Sequence, residues 1–265
     1  MANVTVAVAG RVYLVGAGPG DPELLTRKAA ALLATADIVL HDDLVPPAVL
    51  ALAGSHSLVI SVGKRCGAKR ATQAETNALM VIAAQGGQSV VRLKSGDPLV
   101  FGRAAEEMDA LEAAGVEYEV VPGITAAFAA AAALKCPLTD RRSASSILLS
   151  TGHYADGKES QTRAGGDRPT RVVYMPGRSF SAVAAEWLSE GEDPGLPCVV
   201  VSRAAQPEQV IEHTTLGQLA KLVPPPAPAL LLAGWAVLDR TRDDLKSAPQ
   251  GMSDTSSIAH QEVAL

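Results

Sequence analysis

Along the chain, short apolar runs alternate with longer segments whose apolar positions recur every three or four residues. The first run, 12–15, ends in glycines at 16, 18 and 20, and Asp21-Pro22 then opens a segment with apolar residues at Leu25, Ala29, Leu32, Leu33 and Ala36. That spacing predicts one face of a helix, with Asp21 as N-cap and Pro22 at the first helical position. Further strands are predicted at 37–40, 58–62, 89–93 and 118–121. Thr72-Gln-Ala-Glu75 reads as a capping box for a helix to about residue 85, stopped by Gly86-Gly87. Helices are also predicted at 104–114 and 125–134. Alternation of strands with helices up to about residue 121 implies a parallel sheet with helices on its faces.

The second half has a different rhythm. Strands are predicted at 147–151, 171–175, 198–202, 209–213 and 229–233, and helices at 180–189 and 216–222. The short step between the strands near 198 and 213 suggests a hairpin, and therefore a mixed sheet. A polar loop fills 152–169, and Pro224-Pro-Pro-Ala-Pro228 is a stiff connector before the last strand. The expected organisation is an N-terminal α/β domain over 1–125 with a largely parallel sheet and a C-terminal α/β domain over 126–240 with a mixed one. Residues 241–265, polar and without periodicity, are expected to be a mobile tail.

The polar loops that follow the first-half strands fall where open α/β sheets bind ligands, at the carboxyl ends of strands. Glycines at 16, 18 and 20 allow close backbone approach, and the dinucleotide fingerprint G-x-G-x-x-G is one reading of them. Here the glycines run G-x-G-x-G with Pro19 among them, and Asp37 and Asp42 are the candidate ribose acids. A turn whose glycines only shape the chain is another reading, and residues alone leave the ligand open. Strand alternation puts Ile38, Leu40 and Asp42 on one face and Val39, His41 and Asp43 on the other, so only one of the adjacent carboxylates faces a given cleft.

Composition narrows the function classes. With 48% hydrophobic and only 3% aromatic residues, the core is aliphatic. A net charge of -5 argues against general nucleic-acid binding, which favours a basic face. Cys66, Cys136 and Cys198 form no C-x-x-C pair and read as reduced, structural thiols. The histidines at 41, 56, 153 and 213 have no ligand spacing, so no metal is expected. Residues 1–10 lack a signal-peptide pattern, and no apolar run approaches the ~18 residues of a spanning helix. No membrane partner and a cytoplasmic location are therefore expected. Against the acidic whole, Lys64, Arg65, Lys69 and Arg70 share one loop, while Arg92, Lys94, Arg103, Arg141 and Arg142 lie near other strand ends or breaks. Basic groups focused in this way suggest a polyanionic small substrate.

A family resemblance enters at these residues. Gly16-Ala-Gly-Pro-Gly-Asp-Pro-Glu-Leu-Leu-Thr26, Asp42 before Leu44-Val45, and Val62-Gly-Lys-Arg65 resemble the tetrapyrrole methylases. So do Arg92-Leu-Lys-Ser-Gly-Asp-Pro-Leu-Val-Phe-Gly-Arg103, Val121-Pro-Gly-Ile-Thr125, Pro137-Leu-Thr139 and Thr151-Gly-His153. The resemblance covers about residues 11–240 and is strongest to members that methylate uroporphyrinogen III at C-2 and C-7, giving precorrin-2 on the way to sirohaem and cobalamin. It implies S-adenosylmethionine as methyl donor, a site in the cleft between two α/β domains, and a homodimer. By motif position, the donor contacts are expected at Pro19, Ser95, Gly96, Asp97, Val100, Thr125, Ala126, Met175 and Ala204. Asp42 matches the family's proposed proton acceptor and Lys64 its proposed proton donor. Arg65, Lys94 and Arg103 are the expected contacts to a polycarboxylate tetrapyrrole.

The chain departs from the family pattern in places. Ser95 stands where glycine is usual, and Ala104-Ala105 replace a Gly-Gly pair. His41 replaces a common aromatic, and Lys69 and Thr72 replace a usual His and Pro. If the replaced glycines use positive φ, their Cβ atoms are strained. A later precorrin methyltransferase of the same family is the alternative enzyme reading, and the Ser95 and Ala104-Ala105 changes keep open a weakly active ligand-binding homologue.

Overall fold

The computed structural model describes residues 5–63, 71–152, 169–177 and 179–237. The expectations for Lys64, Arg65, Cys66, Lys69, Arg70, His153, most of the 152–169 loop and the 241–265 tail fall outside the described residues.

Among the described residues, ten strands form two five-stranded sheets. In the first, β1 (Val12–Gly16), β2 (Ile38–His41), β3 (Leu58–Ser61), β4 (Val90–Lys94) and β5 (Tyr118–Val121) run parallel in the order β3-β2-β4-β1-β5. β1 and β4 are buried at every residue, as continuous apolar runs in the middle of a covered parallel sheet should be. Tyr13, Val15, Val39, Val91 and Leu93 face α1 (Arg27–Thr35) and α2 (Pro47–Leu50), whose Leu32, Leu33 and Val49 complete that core. The opposite face carries Val12, Leu14, Ile38, Leu40 and Val90 against α3 (Gln73–Gln85) and α4 (Ala104–Ala113). The capping box at Thr72 and Glu75 is formed.

The second sheet is mixed, in the order β6-β7-β10-β8-β9. β6 (Ile147–Thr151) and β7 (Thr170–Tyr174) are parallel. β10 (Ala229–Ala233) is antiparallel to both β7 and β8 (Pro197–Ser202), and β8 pairs antiparallel with β9 (Val210–Thr215). The alanines of α5 (Ala126–Ala133) pack on one face with Val172, Val199 and Leu232. α6 (Ser181–Ser189) and α7 (Leu216–Leu219) cover the other through Trp187, Leu216 and Leu219.

One boundary corrects the sequence reading. Asp21 does cap a helical turn, accepting from Glu23 N, but that turn is a 3-10 segment, Pro22–Leu24. Leu25 is extended, and α1 starts only after Thr26, whose hydroxyl accepts from Ala29 N. The short α2 and a 3-10 turn at Trp235–Val237 were not predicted.

Asp37 ties the start of β2 to that of β4. Its Oδ2 accepts from Ser89 N at 2.8 Å and Ser89 Oγ at 2.7 Å, and these bonds hold its pKa below the ordinary 3.8. A depressed carboxylate pKa stabilises the fold above that ordinary value, and the contribution is lost as pH falls through the folded-state pKa. Asp37 is exposed, so Asp37→Asn is expected to cost less than about 1 kcal/mol at pH 7. Urea unfolding checks this: the deficit should shrink as pH falls from 7 to below the ordinary carboxylate range, and a deficit independent of pH would assign it to geometry rather than charge.

Candidate active site

All five parallel strands deliver their carboxyl ends to one edge of the first sheet, and the loops leaving that edge face the second sheet. Between them lies a cleft of about 470 Å³. From the first sheet it is lined by Gly18-Pro19, Asp42-Asp43-Leu44, Val62-Gly63 and Arg92, then by residues of the 94–103 stretch, with Thr125-Ala126 beyond them. The second sheet contributes Tyr174-Met175, Val201, Ala204, Gln206 and Pro228-Ala229-Leu230. Pro19, Ser95, Gly96, Asp97, Val100, Thr125, Ala126, Met175 and Ala204 are thus brought to one cavity. Asp42, Lys94 and Arg103 line it as well, whereas Arg141 and Arg142 do not.

The glycine loops are held backbone to backbone. Gly18 N donates to Gly96 O at 3.1 Å, Gly96 N to Gly18 O at 2.8 Å, and Ala17 N to Lys94 O at 2.7 Å. A Cβ on Gly16 would lie 2.6 Å from both Cα and N of Gly123 and 2.7 Å from Gly96 O, so three loops meet where no side chain fits. Asp97 staples the arrangement, its Oδ1 accepting from Leu99 N at 2.9 Å and its Oδ2 from Gly123 N at 3.0 Å. This geometry closes the dinucleotide reading. The Gly18 amide is engaged by Gly96 and the glycine turn does not open directly into α1. Neither candidate ribose acid stands ready, since Asp37 is held by Ser89 and Asp42 by Arg92.

Tyr174 and Gln206 of the second half make contacts around the cleft. Tyr174 Oη lies 2.5 Å from Thr125 Oγ1 and accepts from Ala127 N at 3.2 Å, while burial holds its pKa above the ordinary value. The Phe101 and Tyr174 rings are 4.9 Å apart between centroids. Gln206 Nε2 donates to Pro19 O at 3.2 Å, so the loop after β8 touches the first glycine turn.

The wall behind Asp42 is a charged cluster that sequence reasoning did not find. Arg92 Nη2 donates to Asp42 Oδ1 at 2.5 Å and Arg92 Nε to Glu107 Oε1 at 2.9 Å, while Lys94 Nζ donates to Glu107 Oε2 at 2.8 Å. Burial works against the Arg92 cation, but the Asp42 and Glu107 carboxylates outweigh it and hold its pKa above the ordinary value. For Lys94, burial and then the charge of Arg92 prevail over the carboxylates and hold its pKa below the ordinary value. Lys94 is 2% exposed, so its ammonium serves Glu107 rather than standing free in the cleft. Arg103, about half exposed at the rim, makes a forked pair with Glu106, with Nε–Oε1 at 2.7 Å and Nη2–Oε2 at 2.6 Å. The signal for the cluster was available: Arg92 and Lys94 continue the apolar Val90 face of a buried strand, and cations there require buried counter-charges.

The departures at Ser95 and Ala104-Ala105 carry no backbone strain. Neither Ser95, Ala104 nor Ala105 is among the non-glycine residues with positive φ. Ala104 and Ala105 lie in the first turn of α4, where alanine is the better helix former by about 1 kcal/mol per residue. The positive φ values fall beside them, at Gly96 (68°), Phe101 (52°) and Arg103 (56°).

The profile described as Tetrapyrrole (Corrin/Porphyrin) Methylases matches residues 11–220. Among curated relatives, "Siroheme synthase 2" of Yersinia pestis (strain Pestoides F) is 43% identical over 232 residues, covering 86% of this chain and 49% of that protein. "Siroheme synthase" of Psychrobacter sp. (strain PRwf-1) is 41% identical over 256 residues, covering 95% of this chain and 52% of that protein. The chain therefore spans about half the length of these curated relatives. Among solved structures, uroporphyrin-III C-methyl transferase from Thermus thermophilus complexed with S-adenyl homocysteine superposes with a TM-score of 0.75 at 41% identity, covering 86% of this chain and 93% of that one. A cobalt precorrin-4 methyltransferase superposes with a TM-score of 0.71 at 30% identity, covering 86% and 96% of the two chains. Together with the two-sheet fold, these matches place the chain in the tetrapyrrole methylase family.

Proposed function

We propose that this chain is an S-adenosylmethionine-dependent C-methyltransferase that methylates uroporphyrinogen III at C-2 and C-7, giving precorrin-2 for sirohaem or cobalamin synthesis. The observation that carries the reading is the convergence of nine expected donor-contact residues and Asp42 on one cleft. The shape of the cleft supports the donor on its own terms, because the backbone of Gly18-Pro19 and Ser95-Gly96 lines one side and Ala126, Met175 and Ala204 line the other.

The bound donor supplies an electrophilic methyl group. A pyrrole carbon attacks that methyl, and the ring must then lose a proton, so the protein's tasks are alignment and a base. Asp42 is placed for the second task. It is 28% exposed, Arg92 holds its Oδ1, and among the described residues its Oδ2 has no hydrogen-bond partner. Arg103 at the rim is the described cation best placed for a substrate carboxylate, and Arg65 is proposed as a further substrate contact from the family resemblance alone. Lys94 acts from behind the wall through its charge. Lys64 as proton donor, and assembly as a homodimer, rest on the family resemblance.

The similarity to a cobalt precorrin-4 methyltransferase supports a second reading, action on a later intermediate. Incubation with the donor and enzymatically made uroporphyrinogen III under reducing conditions, followed by mass analysis, separates them. The proposal expects two added methyl groups. Methylation of precorrin-2 or later intermediates alone supports the second reading, and donor binding without turnover a ligand-binding homologue.

A further inference from the structure

Glu107 has no exposed surface, yet both its carboxylate oxygens bind cations that reach the cleft. An ion pair this deep is a poor way to gain stability, because apolar side chains of similar volume serve packing as well or better. Its geometry points elsewhere. Arg92 uses every edge of its guanidinium: Nε on Glu107, Nη1 on the carbonyls of Leu40 and Leu93 at 3.4 and 3.3 Å, and Nη2 on Asp42. Glu107 fixes one end of this planar fork and Asp42 takes the other.

We infer that Glu107 is a positioning residue which, through Arg92, orients the Asp42 carboxylate and sets how readily it accepts a proton. The inference rests on the reading of Asp42 as the base of C-methylation. The cluster holds two cations and two carboxylates, and of the four side chains only Asp42 has appreciable exposure. Without the Glu107 charge, Arg92 and Lys94 are balanced by Asp42 alone. A carboxylate facing that surplus holds its negative charge more tightly and becomes a weaker proton acceptor.

Other groups near Asp42 keep their charge in such a variant. His41 Nδ1 lies 2.9 Å from Asp42 O, and Ser61 Oγ donates to the neighbouring Asp43 at 3.3 Å. Asp97 and Arg103 line the same cleft, and α3 contributes only the neutral Gln73 and Thr76.

Turnover measured against pH tests the inference in four proteins: wild type, Asp42→Asn, Glu107→Gln, and Glu107→Gln combined with Lys94→Met, which removes the stranded ammonium. The wild-type acid limb should be absent in Asp42→Asn, which assigns it to Asp42. In Glu107→Gln the limb should move about one pH unit lower and kcat should fall about tenfold, with KM and S-adenosylhomocysteine affinity within about twofold of wild type. In the double variant the limb should return while kcat stays about tenfold low, because Arg92 has still lost its anchor. Folded variants with an unmoved limb and wild-type kcat would overturn the inference. Should Glu107→Gln fail to fold, a folded double variant with wild-type kcat would overturn it equally. Wild-type turnover in Asp42→Asn would instead defeat the Asp42 reading itself, independently of the Glu107 proteins.

Discussion

Alanine at Gly16 is expected to lower S-adenosylhomocysteine affinity by more than about a hundredfold and to destabilise the fold by about 1–3 kcal/mol. Gly16 ends β1 at the point where three loops of the cleft meet. The added Cβ would lie 2.6 Å from Gly123 Cα and N and 2.7 Å from Gly96 O. All three atoms are backbone, so no rotamer change relieves the overlap. The loops must part instead, and parting them breaks the Gly18–Gly96 bridge and pulls Gly123 N away from Asp97. Isothermal titration and urea unfolding read the two effects separately. Donor-product affinity equal to wild type would show that the junction of these three loops does not shape the donor site.

Asp42→Asn is expected to slow turnover by ~10²–10⁴-fold while donor binding persists. The substitution keeps the volume and can still accept a hydrogen bond from Arg92, but it removes the charge that takes the ring proton. Asp43→Asn is expected to cost much less. Asp43 points toward Ser61 on the neighbouring strand, with Gly63 packed against it, rather than toward Arg92. Equal, small effects from both substitutions would leave alignment of donor and ring as the main catalytic contribution. Equal loss of donor binding would mean that the pair maintains the loop.

Much of this architecture was legible in the chain because its signals are local. Strands 118–121, 147–151 and 229–233 fall where the apolar runs predict them, and the Thr72 capping box forms as written. The close spacing of β8 and β9 announced the mixed sheet, which the antiparallel register from Pro197↔Thr215 to Ser202↔Val210 bears out. The start of α1 was misplaced because two caps compete. Asp21-Pro22 is a proper helix opening, but the extended Leu25 ends that turn and Thr26 begins another. The strain feared at Ser95 and Ala104-Ala105 does not arise, since positive φ falls on their neighbours, a distinction that residue identity alone does not carry.

The candidate site was legible only where a motif names a position. Glu107 was missed because a charged residue on an amphipathic helix ordinarily faces water. Here it lies four residues before Leu111, on the stripe that α4 turns toward the sheet. Tyr174 and Gln206 join residues 49 and 187 positions away, and no local periodicity reports contacts of that span. Lys94 was expected to meet substrate directly because its motif lies at a strand end. The fold turns its ammonium to Glu107 because strand alternation puts it on the covered face with Val90 and Arg92.

The central claim is the transfer of two methyl groups to two ring carbons of one substrate. Carbon-13 methyl-labelled S-adenosylmethionine, incubated with the protein and uroporphyrinogen III, tests it most directly through the carbon-13 NMR spectrum of the product. Two enriched methyl signals per tetrapyrrole, whose methyl protons correlate through long-range proton–carbon couplings with C-2 and C-7, are the predicted result. Enrichment at any other ring position, or none unless precorrin-2 replaces uroporphyrinogen III as substrate, would contradict it.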